Sequence, residues 1–249
     1  MTRPALSFIR YTPGWFGSCA RRCSSSTGVI ATTLSERFGD RAQRGRAPRY
    51  TVRVSGLSVA EVEQLGARGF FVRAGFLGPA LATAACADAR ARLEGGELRR
   101  AGVRRGADHR LDEAVRGDSI CWLDEHVTGV FHDVWRRFDE LRLQLNELAW
   151  LGLRRTELQL AHYPPNGAGY QRHRDAFPGD DNRRVTAIVY LNPAWEPTHG
   201  GRLTLFVEPP LEVEPSLDTC VVFRSQVIEH EVQPSFADRF AVAAWYSAR

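Results

Sequence analysis

Two periods of hydrophobic residues dominate the second half of the chain. Over residues 128–151, apolar side chains recur every three or four positions, which predicts a long α-helix with one buried face. Over residues 156–163, apolar and polar side chains alternate, as they do along a half-buried β-strand. Other β-rich runs are bounded by turn residues, and they predict strands over 69–72, 185–191, 202–207, 219–224 and 240–246.

The segment before the long helix carries weaker signals. Ser58 followed by Glu61 has the sequence of a capping box, which predicts a short helix over residues 59–66. An Ala-rich run that begins with a proline and ends at two glycines predicts a second helix over residues 80–93. Residues 99–116 are polar, rich in Arg and Gly, and aperiodic, which predicts an exposed loop or lid.

Short strands at this spacing, preceded by helices, are typical of two β-sheets packed face to face. We therefore predict a mainly β fold with supporting helices. Its core would be a double-stranded β-helix, or cupin-like jelly roll, packed on an N-terminal helical layer. We expect a single domain over residues 50–249, with the core in residues 156–246.

The net charge is unevenly distributed along the chain. The 249 residues carry a formal charge of +4, but residues 1–50 hold nine Arg against two acidic residues. The rest of the chain is slightly acidic, so we expect no nucleic-acid partner. Residues 1–49 are predicted to be a basic segment outside the domain. Three explanations stay open: a disordered extension or a wrongly assigned start codon, an organelle transit peptide, or a basic binding arm.

Cysteine usage and hydropathy bear on the cellular setting. The five cysteines are odd in number and form no disulfide framework, which indicates a reducing compartment. We expect the cytoplasm, or an organelle if residues 1–49 are a transit peptide. The sequence has no apolar run near the roughly 18 residues of a membrane span, so we expect no membrane association. We also expect a monomer.

Candidate chemistry begins with His173, Asp175 and His230. On an extended segment, residues two apart project to the same face, so the first two could reach one ion from a single strand end. His230, at the end of a β-rich run over 219–228, would come from another strand. Two imidazoles and one carboxylate form the facial triad that holds non-haem Fe(II). An isolated His-x-Asp is more often an ordinary polar pair, so the hypothesis depends on the surrounding residues.

The surrounding residues strengthen the hypothesis. Arg239 enters the last β run, and its planar guanidinium could bind one carboxylate of a diacid whose other end chelates a metal. Tyr190 and Tyr163 could add hydroxyl donors, although each alone is more often a core residue. The alternation places Gln159 on the same strand face as Tyr163, and it places His162 on the opposite face.

The candidate residues stand inside longer motifs. These are Tyr163-Pro164-x-Asn166-Gly167-x-Gly169-Tyr170-x-Arg172-His173-x-Asp175, Val185-Thr186-x-Ile188-x-Tyr190-Leu191-Asn192, Gly200-Gly201-x-Leu203, His230-Glu231-Val232-Gln233-Pro234 with Arg239 and Trp245-Tyr246, and Arg116-Gly117-Asp118-x-Ile120-x-Trp122. Together they resemble the motifs of the 2-oxoglutarate-dependent prolyl 4-hydroxylases. Within that family they look most like the oxygen-sensing hydroxylases that modify hypoxia-inducible factor, and their bacterial relatives that act on an elongation factor. The resemblance is dense over residues 157–246, looser over 70–155 and absent over 1–50.

This resemblance implies the cofactors and the residues that bind them. Fe(II) would be ligated by the His-x-Asp pair and His230, with no catalytic residue beyond these ligands. Arg239 and Tyr190 would hold the C5 carboxylate of 2-oxoglutarate, and Tyr163 would contact its metal-binding end. O2 would be the second cosubstrate, with ascorbate as the reductant.

The resemblance also implies a substrate. It would be a prolyl residue of a protein or peptide, hydroxylated at C4 with release of succinate and CO2. Asp118 would pair with Arg183 or Arg184 to shape the cleft, and one extra residue before the next strand leaves the choice between them open. The other residues implied on the substrate side are Trp122, Gln159 and Trp245.

Two departures from the family pattern concern the pocket. Ala243 stands where the animal enzymes have a hydroxyl-bearing residue, and Gln159 replaces an apolar residue. They bear on oxygen kinetics and substrate identity and leave the reaction class unchanged. The alternatives are a hydroxylase of a free amino acid or small metabolite, and a non-catalytic cupin-like binding module. The second would leave the full triad and Arg239 unexplained.

Overall fold

Three helices form a layer on one side of the described protein. The computed structural model describes residues 56–102, 115–176 and 183–248. The helices are α1 (Val59–Arg68), α2 (Pro79–Glu94) and α3 (Val130–Ala149). None of the helices in these ranges is long and apolar enough to span a membrane.

Helix α1 begins with the predicted capping box. The Ser58 hydroxyl accepts a hydrogen bond from the Glu61 N–H at 3.3 Å, and the Glu61 carboxylate accepts one from the Ser58 N–H at 2.8 Å. The same carboxylate accepts a bond from Nε of Arg73 at 2.6 Å on the first strand. The cap therefore fixes the start of α1 and also ties it to the sheet.

Two antiparallel sheets make up the rest of the described fold. In chain order the described strands are β1 (Phe70–Ala74), β2 (Arg99–Arg100), β3 (Ser119–Leu123), β4 (Arg155–Tyr163), β5 (Ala168–His173), β6 (Arg183–Tyr190), β7 (Leu203–Leu205), β8 (Leu211–Val213), β9 (Thr219–Arg224), β10 (His230–Ser235) and β11 (Arg239–Ser247). The larger sheet has the order β1-β9-β6-β11-β4-β3-β2 and the smaller sheet the order β5-β10-β7-β8.

The two faces of the larger sheet bury different cores. One face packs on the helices, with Phe131 and Phe138 of α3 against Leu158, Val242 and their neighbours. The other face packs on the smaller sheet, and side chains such as Leu203 of that sheet belong to the second core. The predicted double-stranded β-helix on an N-terminal helical layer is confirmed.

The structure places the predicted helices and strands within about two residues of their expected ends, but it also contains strands outside the predicted runs. Strand β8 was not predicted, because three residues are too short to show a period. Residues Arg99–Arg100, expected in an exposed loop, pair with β3, while residues 103–114 of that loop lie outside the described ranges. Residues 1–55 also lie outside them, so the extension over 1–49 and the single domain over 50–249 stay predictions.

Candidate active site

A cavity of about 420 Å³ opens between the two sheets. One wall comes from the inner faces of β4, β6 and β11, and the other comes from β5, β7 and β10. The side chains at Gln159, Ala161 and Tyr163 all line it, whereas His162 turns away and bonds Asp238 at 2.7 Å. The alternation predicted for β4 is therefore confirmed.

The two histidines and the aspartate of the predicted triad converge in this cavity. His173 lies directly opposite His230 in the pairing of β5 with β10, so their rings are 4.3 Å apart between centroids. Nε2 of His173 lies 3.8 Å from Oδ1 of Asp175, and Nε2 of His230 lies 3.7 Å from Oδ2. One ligand atom from each residue lies within 4.8 Å of the others. Three donor atoms are therefore available to one ion.

The strands supply these residues differently from the expectation. Strand β5 ends at His173, and Asp175 lies in the turn after it. The turn directs the carboxylate back towards the imidazoles, so no shared strand face is needed. His230 begins strand β10 and does not end the run before it, because β9 stops at Arg224 and a turn intervenes.

The electrostatics of the triad suit a divalent cation. Burial, assisted by the neighbouring His230, lowers the pKa of His173 to about 4, so its imidazole is neutral near pH 7. Its Nδ1–H donates to the Gln171 carbonyl at 2.7 Å, which leaves Nε2 as the ligand atom. Burial opposes ionisation of Asp175, but the two imidazoles and a hydrogen bond from Thr186 lower its pKa below the usual value.

The donor set therefore fits the metal expected from the sequence. Two neutral imidazoles and one carboxylate are the ligands of non-haem Fe(II) sites with open positions. Thr186 supports the set, because its hydroxyl donates to Oδ2 of Asp175 at 2.7 Å and lies 2.8 Å from the Ser225 hydroxyl. A ligating carboxylate that is itself hydrogen-bonded is held in place by such a contact.

A buried arginine lies in another part of the cavity wall. Arg239 is 1% exposed, and its Nε donates to the Gly201 carbonyl at 2.7 Å. Its guanidinium carbon lies 4.9 Å from the ring centre of Tyr163 and 5.1 Å from that of Tyr190. No carboxylate in the described ranges forms an ion pair with it. A buried cation without an acidic partner is rare, because removing a charge from water is unfavourable.

The hydroxyl of Tyr190 is also buried without a hydrogen-bond partner among the described residues. Burial raises the pKa of Tyr190 and that of Tyr163, so both phenols are protonated donors near pH 7. A guanidinium and phenolic donors match a carboxylate. The residues therefore fit a diacid held between Arg239 and a metal ion at the triad, as 2-oxoglutarate would be.

Aromatic side chains occupy a third part of the cavity wall. Trp122 is 55% exposed, and its ring centre lies 5.9 Å from that of Trp245. The guanidinium of Arg183 lies 4.3 Å from the centre of the Trp245 ring and also contacts Glu157 at 3.4 Å. Arg184 is exposed and does not line the cavity. An exposed aromatic surface at a cavity entrance suits a large ligand.

The expected pairing of Asp118 with Arg183 or Arg184 is wrong. Asp118 is paired with Arg116, whose Nε and Nη2 donate to its two carboxylate oxygens at 2.6 and 2.9 Å. The sheet explains the difference: the residue after Asp118 pairs with position 162, near one end of β4, whereas Arg183 lies level with position 155 at the other end.

Three residues of the site were not among the predicted site residues. Arg116 and Tyr170 line the cavity, and the Tyr170 ring stacks on that of His173 with 3.7 Å between ring centres. Thr186 supports Asp175 from β6. All three stand inside the motifs that carried the resemblance. Their position near the ligand residues in the sequence was the signal available.

Comparison with known proteins places the chain in a family. A family model described as the 2OG-Fe(II) oxygenase superfamily matches residues 158–247. Prolyl hydroxylase EGLN3 of Mus musculus is 37% identical over 163 residues, which cover 62% of this chain and 66% of the mouse protein. The match to a Pseudomonas putida prolyl-4-hydroxylase structure has 38% identity and a TM-score of 0.69, and it covers 77% of this chain and 98% of that one.

A third comparison concerns a complex. The structure of a Trichoplax adhaerens prolyl hydroxylase with a hypoxia inducible factor oxygen degradation domain peptide has 29% identity and a TM-score of 0.70. The match covers 76% of this chain and 87% of that one. The chain belongs to the 2OG-Fe(II) oxygenase superfamily. The three relatives described above are prolyl hydroxylases.

Proposed function

We propose that this protein is a dioxygenase that uses Fe(II), 2-oxoglutarate and O2 to hydroxylate C4 of a prolyl residue in a protein or peptide. Succinate and CO2 are the other products. One observation carries the proposal: the cavity that holds His173, Asp175 and His230 also contains the buried guanidinium of Arg239, which has no acidic partner in the described ranges. A site with both features accommodates a metal and a carboxylate-bearing cosubstrate together.

Each group of residues has a separate task in this function. The triad would hold Fe(II), which with 2-oxoglutarate and O2 supplies the oxidising power for breaking a C–H bond. Thr186 keeps the Asp175 carboxylate oriented towards the two imidazoles through its 2.7 Å hydrogen bond. His173 stays neutral and is oriented by the Gln171 carbonyl, so its Nε2 is available as a ligand.

The Arg239 region would bind and orient the cosubstrate. Its guanidinium and the Tyr190 hydroxyl would hold the C5 carboxylate, and the Tyr163 hydroxyl would contact the end that reaches the metal. Burial strengthens these charge-assisted bonds, because little water competes for the donors. It also keeps water away from the reacting groups.

The aromatic part of the cavity would receive the substrate. Trp122 and Trp245 provide apolar surface for a proline ring, and Arg183 lies beside them. Asp118, held by Arg116, would shape the cleft together with Gln159, while the exposed Arg184 would reach a longer chain from outside it. A protein or peptide substrate is supported by the Trichoplax adhaerens relative, whose structure contains a bound peptide.

Further features of the function rest on the sequence alone. We propose ascorbate as the reductant because of the family resemblance, a monomeric state, and a cytoplasmic location because the cysteines form no disulfide framework. Residues 1–49 are proposed to lie outside the catalytic domain.

The proposal is tested with purified protein, Fe(II), 2-oxoglutarate and a library of proline-centred peptides under air. We expect peptides that gain one oxygen atom on proline, with one succinate released per oxygen transferred. Arg239→Lys keeps the charge but loses the planar fork, so the KM for 2-oxoglutarate should rise roughly 10- to 100-fold. Arg136→Lys on the exposed face of α3 is the matched control.

Two outcomes would contradict the proposal. Succinate formation that responds to free amino acids or small metabolites, with no peptide oxidised, would indicate the alternative hydroxylase. An absence of Fe(II) and 2-oxoglutarate binding in an anaerobic titration, with no charge-transfer absorption band, would indicate a binding module without this chemistry.

A further inference from the structure

Arg116 bridges the two walls of the cavity. Its guanidinium donates to both oxygens of Asp118, and Nη2 also donates to Oε1 of Gln159 at 2.8 Å. Its guanidinium carbon lies 4.8 Å from the ring centre of Tyr170 on the opposite sheet. Burial alone would lower the pKa of Arg116, but the hydrogen bonds and ion pair with Asp118 raise it above its ordinary value, so Arg116 is a permanent cation. These contacts hold the guanidinium in one place.

The fixed guanidinium determines which way the Gln159 amide faces. Arginine has only hydrogen-bond donors, so the atom of the amide that meets it must be the oxygen. The NH2 group of Gln159 therefore points away from Arg116. The oxygen and the nitrogen of a glutamine amide are similar in shape, so which is which is normally assigned from their hydrogen-bond partners. Here the charge of the neighbour removes that ambiguity.

The NH2 group of Gln159 has no acceptor among the described residues, although the side chain is 98% buried and lines the cavity. Every hydrogen bond that the structure records for this side chain is made by its oxygen. A ligand that fills the cavity would remove this donor from water, and a donor buried without a partner is unfavourable. The cavity thus contains an oriented donor that awaits an acceptor.

The position of Gln159 separates it from the predicted cosubstrate site. It pairs with Trp122 on one side and with Ala243 on the other, and both line the cavity. Tyr163, opposite Arg239, lies four residues further along β4, which is about 13 Å in an extended strand. Gln159 therefore lies beside the aromatic wall, on the side proposed for the substrate.

We infer that Gln159 is a specificity-determining residue, whose NH2 group donates a hydrogen bond to a main-chain carbonyl next to the target proline and whose orientation is set by Arg116. This inference rests on the proposed function. A prolyl residue has no N–H, so its backbone offers only acceptors to an enzyme. A fixed donor is the complementary group, and a carboxylate or an apolar side chain at position 159 would not serve.

Two substitutions separate recognition of the substrate from support of Arg116. Gln159→Glu keeps an oxygen for Arg116 but removes the donor, whereas Gln159→Met removes both functions at similar volume. We expect both variants to raise the KM for the peptide that the wild type hydroxylates fastest, roughly 5- to 100-fold. The KM for 2-oxoglutarate should stay unchanged. Gln64→Met, at an exposed position of α1, is the control with wild-type kinetics.

A modified peptide tests the acceptor directly. Two peptides in which one carbonyl beside the target proline is reduced to CH2, before or after that residue, are compared with the parent peptide. For one of them the wild type should lose most of its preference for the parent, and Gln159→Met should show almost no preference. Anaerobic binding of Fe(II) and 2-oxoglutarate, together with thermal unfolding, verifies that each variant is folded and loaded.

Specific results would overturn the inference. Wild-type kinetics for Gln159→Glu would mean that position 159 only supports Arg116. A raised KM for 2-oxoglutarate with an unchanged KM for the peptide would assign the donor to the cosubstrate. If no proline peptide is hydroxylated by the wild type, the proposed function fails as well, and this is known before any variant is made.

Discussion

Along β4, β6 and β11, neighbouring residues point alternately to the helices and to the cavity, and the cavity-facing set contains polar groups among its apolar side chains. On the helix side the strands place Leu160, Val189 and Val242 in the apolar core. On the cavity side the same strands place Gln159, Tyr190 and Arg239 at almost the same burial. The backbone is shared, so the side chains alone decide the difference.

The difference shows how the fold combines stability with a reactive site. The helix side buries apolar surface, which favours folding by about 25 cal/mol per Å². The cavity side keeps polar groups that lack partners among the described residues, such as the Tyr190 hydroxyl and the Trp245 Nε1. Such groups are unfavourable for folding but ready for a ligand. The helix-facing core stabilises strands that carry an otherwise unfavourable cavity.

The largest effect is expected from removing a metal ligand on the cavity side. Asp175→Ala should reduce succinate formation at least about 100-fold, because the carboxylate is the only anionic member of the triad. The measurement is succinate release at saturating Fe(II) and 2-oxoglutarate, with Asp133→Ala, a partly exposed position of α3 away from the cavity, as the control. Normal turnover in the variant would remove Asp175 from the ligand set.

On the helix side, truncating a side chain to alanine should lower the stability of the protein and leave cosubstrate binding unchanged. Leu160→Ala deletes a fully buried side chain between two cavity-lining neighbours, and it should cost about 2–5 kcal/mol of unfolding free energy. The KM for 2-oxoglutarate, measured well below the unfolding temperature, should be unchanged. Leu143→Ala, half exposed on α3, should change stability by no more than about 0.5 kcal/mol. A large shift of this KM in Leu160→Ala would show that the two faces are coupled.

A smaller effect, with opposite signs for stability and binding, is expected at Tyr190. Tyr190→Phe removes a buried hydroxyl without a recorded partner, so the unfolding free energy of the ligand-free protein should stay equal or increase by about 1 kcal/mol. The KM for 2-oxoglutarate should rise roughly tenfold, because a donor to its carboxylate is lost. Urea unfolding without ligand and steady-state kinetics measure the two quantities. Lower stability with unchanged kinetics would make Tyr190 an ordinary core residue.

The smallest effect lies far from the cavity, at the cap of α1. Burial alone would raise the pKa of Glu61, but hydrogen bonds from Arg73 and Ser58 lower it from 4.5 to about 2. A lowered folded-state pKa stabilises the protein above pH 4.5, and this contribution is lost as the pH falls towards 2. Glu61→Gln should therefore lose at most about 1 kcal/mol above pH 4.5. The difference from wild type in urea unfolding should shrink with acidification, and a difference independent of pH would assign the effect to packing.

Most of the architecture was predictable because it follows local periods. The alternation over β4 assigned Gln159 and Tyr163 to one face and His162 to the other, since side chains of a strand alternate without exception in a regular ladder. The heptad-like spacing in α3 and the capping box of α1 were equally local. Strand β8 was too short to show any period.

The candidate site was likewise predictable only in part. Sequence by itself determined which residue types are present, the spacing of His173 and Asp175, and the positions that Arg239 and His230 occupy near strand ends. Only the tertiary structure decided which groups meet. Asp118 accepts hydrogen bonds from Arg116, two residues away, and does not pair with the distant Arg183. The same guanidinium also donates a hydrogen bond to Gln159, which is 43 residues away in the sequence. Such pairings depend on strand register and on competition between partners, and a linear pattern contains neither.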